Sequence, residues 1–320
     1  MIRSTLAFAL STLALFAQEP TKPTAPPAAA VPLPAANSPE AAKVVEQAIA
    51  KMAAYGRGSF STSESQDAAM MRGAGMPFGG GDTEVKGGWH REVVWGEHDG
   101  SDYVKANGRM LAKVGDGWKL RASKLGAGKP APFTLDPALL FALLQELPAE
   151  ARAVVHVEAG EVASKPVTIL SLQLDGDAAT EFMDSGVLPA AGGGGFVMFG
   201  GVGGMPMPQV DHTVYLAFSI DESGDVLRFA AKVYEKNGMF GGMQVAIAVN
   251  GQGVVEEEKE DEKEEEEEKA DAPVVWKKGF PKRKPAKDES VVTFRADFSK
   301  LGRAEPPQLG DKEKALLRLH

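Results

Sequence analysis

The feature that most constrains the fold is an alternation, with a period of two, of large apolar side chains with smaller or polar ones. Val214, Leu216, Phe218 and Ile220 alternate with Thr213, Tyr215, Ala217 and Ser219. After a turn at Asp221–Gly224, Leu227, Phe229, Ala231 and Val233 share one face, and Arg228, Lys232 and Tyr234 share the other. Successive side chains of a strand point to opposite faces, so this segment reads as an antiparallel hairpin with one covered face. Met243, Val245, Ile247 and Val249 follow the same rule, as do Val292, Phe294, Ala296 and Phe298. Asn107-Gly108 joins Tyr103–Ala106 to Arg109–Val114, a pair suited to a tight turn with both central φ angles positive. Asp116-Gly117 leads into Trp118–Arg121, and further strands are expected near Ser59–Glu64, Val85–Trp95, Val154–Glu158 and Val167–Leu174. The total is about ten or eleven strands, mostly antiparallel because hairpin turns join them.

Two helices break this pattern. Ser38 as N-cap and Pro39 at the first helical position open one that runs to about Ala54, with Ala41, Val45, Ala48, Ile49 and Met52 in one stripe, closed by Tyr55-Gly56. Asp136-Pro137 opens a second, filled by Leu139, Leu140, Phe141, Leu143, Leu144 and Leu147. It is apolar almost all round, which predicts burial on more than one side. A third short helical turn is expected over Asp177–Met183. Strands do not alternate with long helices, which argues against doubly wound and (β/α)8 folds. The predicted class is α+β and β-rich: a curved antiparallel sheet with an N-terminal helix and an apolar helix on its concave face.

The ends and inserts set the boundaries. Arg3, an apolar run from Leu6 to Phe16 and the small Ala17 before Gln18-Glu19-Pro20 read as a secretory signal peptide over residues 1–17. An 11-residue apolar run is too short to span a bilayer. Residues 18–37 are a Pro/Ala-rich linker, 38–310 a single β domain, and 311–320 a C-terminal tail. The expected location is the periplasm or the secreted medium. The chain has no cysteine, so disulfides, thiolate chemistry and lipid attachment through a cysteine are all excluded. No later run is long and apolar enough for a membrane helix, and the mature protein is expected to be soluble.

The net charge of −9 is local rather than global. Residues 256–269 hold ten Glu and Asp261 against three Lys, which accounts for −8 of it. Such a block repels itself and stays solvated, so a disordered charged insert is expected over 254–288, with Lys277, Lys278, Lys282, Arg283, Lys284 and Lys287 in its basic second half. One short basic cluster beside an acidic block disfavours nucleic acid as a partner.

Motifs of catalysis fail on inspection. Gly126-Ala127-Gly128-Lys129 has Ser123 where a phosphate-binding loop needs glycine, and Pro130 follows. No Gly-x-Ser-x-Gly elbow occurs, and no carboxylate pair is marked for acid–base work. His90 with Glu92 and His156 with Glu158 could each put two metal ligands on one strand face, but zinc needs three or four. The reading is therefore a non-enzyme without cofactor or metal.

Three Gly/Met loops stand out: Met76-Pro77-Phe78, Met198-Phe199 and Met239-Phe240, each followed by two glycines. Eight of the twelve methionines lie in or beside them. Met is adaptable and apolar and Gly keeps a loop mobile, so these segments fit the mouth of an apolar cavity. They fit equally well as low-complexity surface loops.

The order of elements resembles the LolA/LppX-like lipoprotein-carrier superfamily. The residues that carry the resemblance are the Ala41–Met52 helix, Gly117-Trp118, Asp136-Pro137 with Leu139–Leu144, the 213–235 hairpin, and Val291–Phe298 with Glu305-Pro306-Pro307. The missing lipid-attachment cysteine, the charged insert and the Gly/Met loops depart from it. The resemblance implies a half-open β-barrel, closed by helices, that holds the acyl chains of a lipid or lipoprotein. Its lining would be Leu170, Leu172, Val214, Leu216, Phe218, Leu227, Phe229, Val245, Ile247 and Phe294, with Leu140, Phe141 and Leu144 on a lid helix. The same residues would also suit a filled core. The rival class is an envelope scaffold that binds partners through its Gly/Met loops or acidic insert.

Overall fold

A computed structural model of the chain describes residues 33–67, 83–98, 100–121, 135–188, 211–236, 274–286 and 289–319. Helix α1 spans Pro39–Tyr55, where the Ser38 side chain accepts a hydrogen bond from the Ala41 amide and Gly56 closes the helix at φ +62°. The expected stripe of Ala41, Val45, Ala48, Ile49 and Met52 is its buried face. Strands β1 (Arg57–Asp67), β2 (Thr83–His90), β3 (Val93–His98), β4 (Ser101–Ala106), β5 (Arg109–Val114) and β6 (Gly117–Leu120) follow as a meander. The segment read as one strand over 85–95 is two, because Arg91 takes φ +54° and its amide donates to the Gly56 carbonyl. Asn107 and Gly108 adopt φ +49° and +69°, the tight turn that the dipeptide predicts.

Helix α2 (Pro137–Glu146) is capped by Asp136, which accepts from the Leu139 amide. A short 3-10 turn (Glu150–Arg152), β7 (Val154–Val162), β8 (Lys165–Asp175) and α3 (Gly176–Asp184) come next. Then come β9 (Asp211–Ile220), β10 (Val226–Lys236), a small hairpin of β11 (Trp276–Lys277) and β12 (Phe280–Pro281), β13 (Glu289–Ser299) and α4 (Asp311–Leu317).

Eleven strands form one sheet in the order β6-β5-β4-β3-β2-β1-β13-β10-β9-β8-β7, antiparallel at every pairing. No ladder joins the edge strands β6 and β7 among the described residues, so the sheet is unclosed. Laid flat it would be about 50 Å wide at the usual strand spacing. Yet one apolar cluster takes side chains from Tyr103 on β4 round to Val154 on β7, together with α1, α2 and α3. That is the packing of a curved sheet wrapped around its helices, the α+β arrangement expected.

Two segments differ from the sequence reading. Residues 274–286, assigned to the disordered insert, carry the β11–β12 hairpin packed on the outer face of the sheet. Its apolar anchors, Trp276 and Phe280, stand among lysines, so composition hides them. Residues 311–317, read as tail, form α4 with Leu317 fully buried. Asn107 in the β4–β5 turn donates to the Leu317 and Arg318 carbonyls at 3.1 Å, and Arg109 donates to the Leu316 carbonyl at 2.9 Å, which satisfies the end of that helix.

Candidate functional site

The inner face of the sheet follows from register. Leu170, Phe218 and Phe229 are consecutive partners across β8, β9 and β10; Leu172, Leu216, Ala231 and Phe294 continue the next row through β13. Val214 lies one pleat further along β9 and, like the others, is buried. Aromatic rings dominate the centre. Phe218 and Phe229 stand 5.4 Å apart, and Phe298 meets Trp89 edge-on at 5.8 Å and Phe141 of α2 at 5.6 Å. Leu140 and Leu144 of α2 are buried in the same cluster. Leu139 is 43% exposed, so α2 packs by one face and is not covered all round as its composition suggests.

Leu227 does not belong to this face. The β9–β10 ladder slips between Val226 and Arg228, and a bulge reverses the side-chain order. Val226 takes the inner position and is fully buried, while Leu227 turns outward against Val162, Val167, Ile169 and Phe280. Alternation alone cannot reveal an extra residue beside a turn. Val245 and Ile247 lie outside the described residues, as do Met76, Phe78, Met198, Phe199, Met239 and Phe240.

Helix α1 over this face is held at both ends by polar ties. The Asn37 amide donates to the Val154 carbonyl at 2.7 Å, joining the entry of α1 to the edge strand β7. At the other end, Tyr55 donates to Asp225 at 2.7 Å, and the Lys51 ammonium lies 2.8 Å from the same carboxylate. Burial pushes the Asp225 pKa up, but hydrogen bonds from Lys51, Tyr55 and Ser223 outweigh it and hold the carboxyl below its ordinary range. Between these ties α1 buries Ala41, Val45, Ala48, Ile49 and Met52, and Glu46 pairs with Arg152 at 3.2 Å.

Polar groups on the inner face are few. Thr62 is buried and donates to the Val85 carbonyl at 3.4 Å. Tyr103 is 3% exposed, and its hydroxyl has no hydrogen-bond partner among the described residues. Burial pushes its phenol well above the ordinary value, so it stays neutral. A lone tyrosine on a strand carries no sequence signal for this position; only the packing picks it out.

The outer face holds the other sequence candidates. The His156 ring stacks on Trp276 at 4.5 Å and 6°, Glu158 accepts from the Gly279 amide, and Ser171 donates to the Gly279 carbonyl at 2.8 Å. Arg283 lies 3.7 Å over the Tyr234 ring and makes two hydrogen bonds, 2.8 and 2.9 Å, to Glu289. These groups dock the β11–β12 hairpin. Glu92 sits in the β2–β3 turn and not on a strand face with His90. Among the described residues no group of three or more His, Asp or Glu could hold a metal ion. An open trough of about 500 Å³ is lined by Trp95, Trp118, Pro307 and Gln308, by the charged Lys86, Glu97, Asp102 and Lys113, and by Gly87, Gly96 and Tyr103.

No protein-family model matches this chain, and no curated protein matches it. Among the solved structures similar to it in fold are three of very low sequence identity. LprF from Mycobacterium bovis aligns at 11% identity and a TM-score of 0.38, over 87% of this chain and all of that one. The Mycobacterium tuberculosis lipoprotein LppX aligns at 9% and 0.31, over 85% of this chain and all of that one. A LolA-superfamily protein from Nitrosomonas europaea aligns at 7% and 0.24, over 83% and 94%. Superpositions this loose decide nothing about ligand or partner. The unclosed, curved sheet with helices against its inner face is nonetheless the architecture that the LolA/LppX resemblance implies.

Proposed function

We propose that this chain is an exported, non-enzymatic binding protein that holds the acyl chains of a lipid or lipoprotein between its sheet and helices α1 and α2. The observation that supports this most is how the inner face is covered. A second sheet packed on this face would interlock its side chains tightly with those of the first. Here the cover is helical: α1 is tied by polar bonds at its ends and by the Glu46–Arg152 ion pair, and the rest of its buried contact is apolar. Parting such a seam breaks no strand pairing. An apolar ligand entering it replaces the buried area that the helices give up, so the opening costs little net hydrophobic stabilisation. Leu140, Phe141 and Leu144 would then face the ligand from α2, and Leu170, Leu172, Val214, Leu216, Phe218, Phe229 and Phe294 from the sheet. The Gly/Met loops at Met76, Met198 and Met239 are proposed as the mouth. Residues 1–17, which read as a signal peptide, would carry this activity outside the cytoplasm. Among the described residues no helix is long and apolar enough to cross a membrane.

The test is native mass spectrometry and solvent extraction of the mature protein purified without detergent. Co-purifying acyl lipid at near one equivalent is expected. A clean protein that also takes up no added lipid would overturn the reading and favour a scaffold with a filled core.

A further inference from the structure

We propose that the Tyr103 hydroxyl anchors the polar end of the ligand, donating a hydrogen bond to an ester or amide carbonyl where acyl chains join their head. The inference rests on the carrier reading above and adds the class of ligand to it.

The geometry around this hydroxyl is specific. Gly87 and Gly96 face one another across β2 and β3. A Cβ added to Gly96 would come 2.6 Å from the Tyr103 oxygen, and one added to Gly87 would come 3.0 Å from Cζ of Phe60. The two rings, reaching in from β4 and β1, therefore lie over a floor of bare backbone. Gly96 makes room for the buried Tyr103 phenol, a member of the apolar cluster that includes Val85, Trp89 and Val94.

Buried hydroxyls are almost always hydrogen-bonded, and one that is not calls for a partner. Tyr103 has none among the described residues. Its surroundings select the partner's chemistry. The phenol is neutral and can donate, and among the described residues no charged side chain is buried in the apolar cluster that Tyr103 joins. An ionised carboxylate would be costly to bring there, whereas a carbonyl oxygen would gain a bond without a desolvated charge. A ligand whose head is a neutral acyl ester or amide fits; a bare hydrocarbon would leave the hydroxyl unpaired.

The experiment uses the full mature chain and Tyr103→Phe, which removes the oxygen and keeps the ring. Each protein is equilibrated with dioleoylglycerol carrying ¹³C-labelled carbonyls, with a triacylated lipopeptide, or with squalane, and retained probe is measured after gel filtration. Tyr103→Phe should retain about tenfold less of at least one ester probe, as expected for one buried hydrogen bond, with squalane unchanged. The probe that shows this loss identifies lipid or lipoprotein as the source of the carbonyl. The labelled carbonyl stretch should move to lower frequency in the wild type and not in the variant. Equal retention of every ester probe by the two proteins overturns the anchor and leaves the carrier reading intact. A lowered melting temperature of ligand-free Tyr103→Phe also overturns it, because the hydroxyl would then have a partner within the protein. If the wild type retains none of the three probes, the carrier reading falls and the anchor falls with it.

Discussion

Gly87 of β2 and Gly96 of β3 are direct partners in the sheet: a Cβ on Gly87 would strike the Trp95 carbonyl and meet Phe60, and one on Gly96 would meet the Lys86 carbonyl at 2.5 Å and the Tyr103 hydroxyl at 2.6 Å. The substitution Gly96→Ala should therefore overpack this point and destabilise by about 2 kcal/mol. Gly117→Ala serves as the control, since Gly117 has open space around it and should change stability by less than about 0.5 kcal/mol. Urea unfolding of the two variants checks both. Equal effects would mean that Gly96 is not enclosed by the Lys86 carbonyl and the Tyr103 phenol.

The bulge beside Val226 makes a second prediction. Phe229→Ala removes a fully buried inner ring and should cost about 3–5 kcal/mol. Leu227→Ala trims a half-buried outer side chain and should cost clearly less, about 1–2 kcal/mol by the area it covers. Strict alternation through the hairpin would instead make the two losses comparable.

Asp225 should give the helix tie a pH dependence of known sign. Its folded pKa lies below the unfolded value of 3.8, so its contribution is fully present above 3.8. That contribution is lost as pH falls from there through the depressed folded value. The stability difference between wild type and Asp225→Asn should be constant at neutral pH and shrink on acidification below about pH 4. A difference that grows toward low pH would contradict the tie from Lys51 and Tyr55.

The hairpin latch can be released by one methyl group. Gly279 has φ +82°, and a Cβ there would lie 2.6 Å from the Cβ of Ala217. Gly279→Ala should unseat residues 274–286 and speed amide hydrogen exchange across them, with the inner-face strands keeping their protection. Unchanged exchange at Trp276 and Phe280 would mean that the hairpin is not held where Ser171 and Glu158 grip it.

Much of the fold was legible because its cause is local. Alternation placed Val214, Leu216, Phe218, Phe294 and Phe298 on a covered face, and the register puts them there. Ser38, Pro39, Gly56 and Asp136 marked helix ends through caps that involve residues at most a few positions apart. Asn107-Gly108 marked its turn for the same reason. The candidate site was less legible. Leu227 looked like an inner residue until the bulge turned it out, and a bulge depends on how a turn meets its partner strand.

What the sequence determined by itself, then, is the period, the caps, the turns and the acidic tract, all set by short-range sterics, hydrogen bonding and charge. Tertiary structure alone decided that Tyr103 covers Gly96 of the neighbouring strand, and that Trp276 stacks on His156 across 120 residues of chain. Such contacts come from packing one curved sheet around its helices. Nothing in the neighbours of Tyr103 along the chain records which backbone its ring will cover.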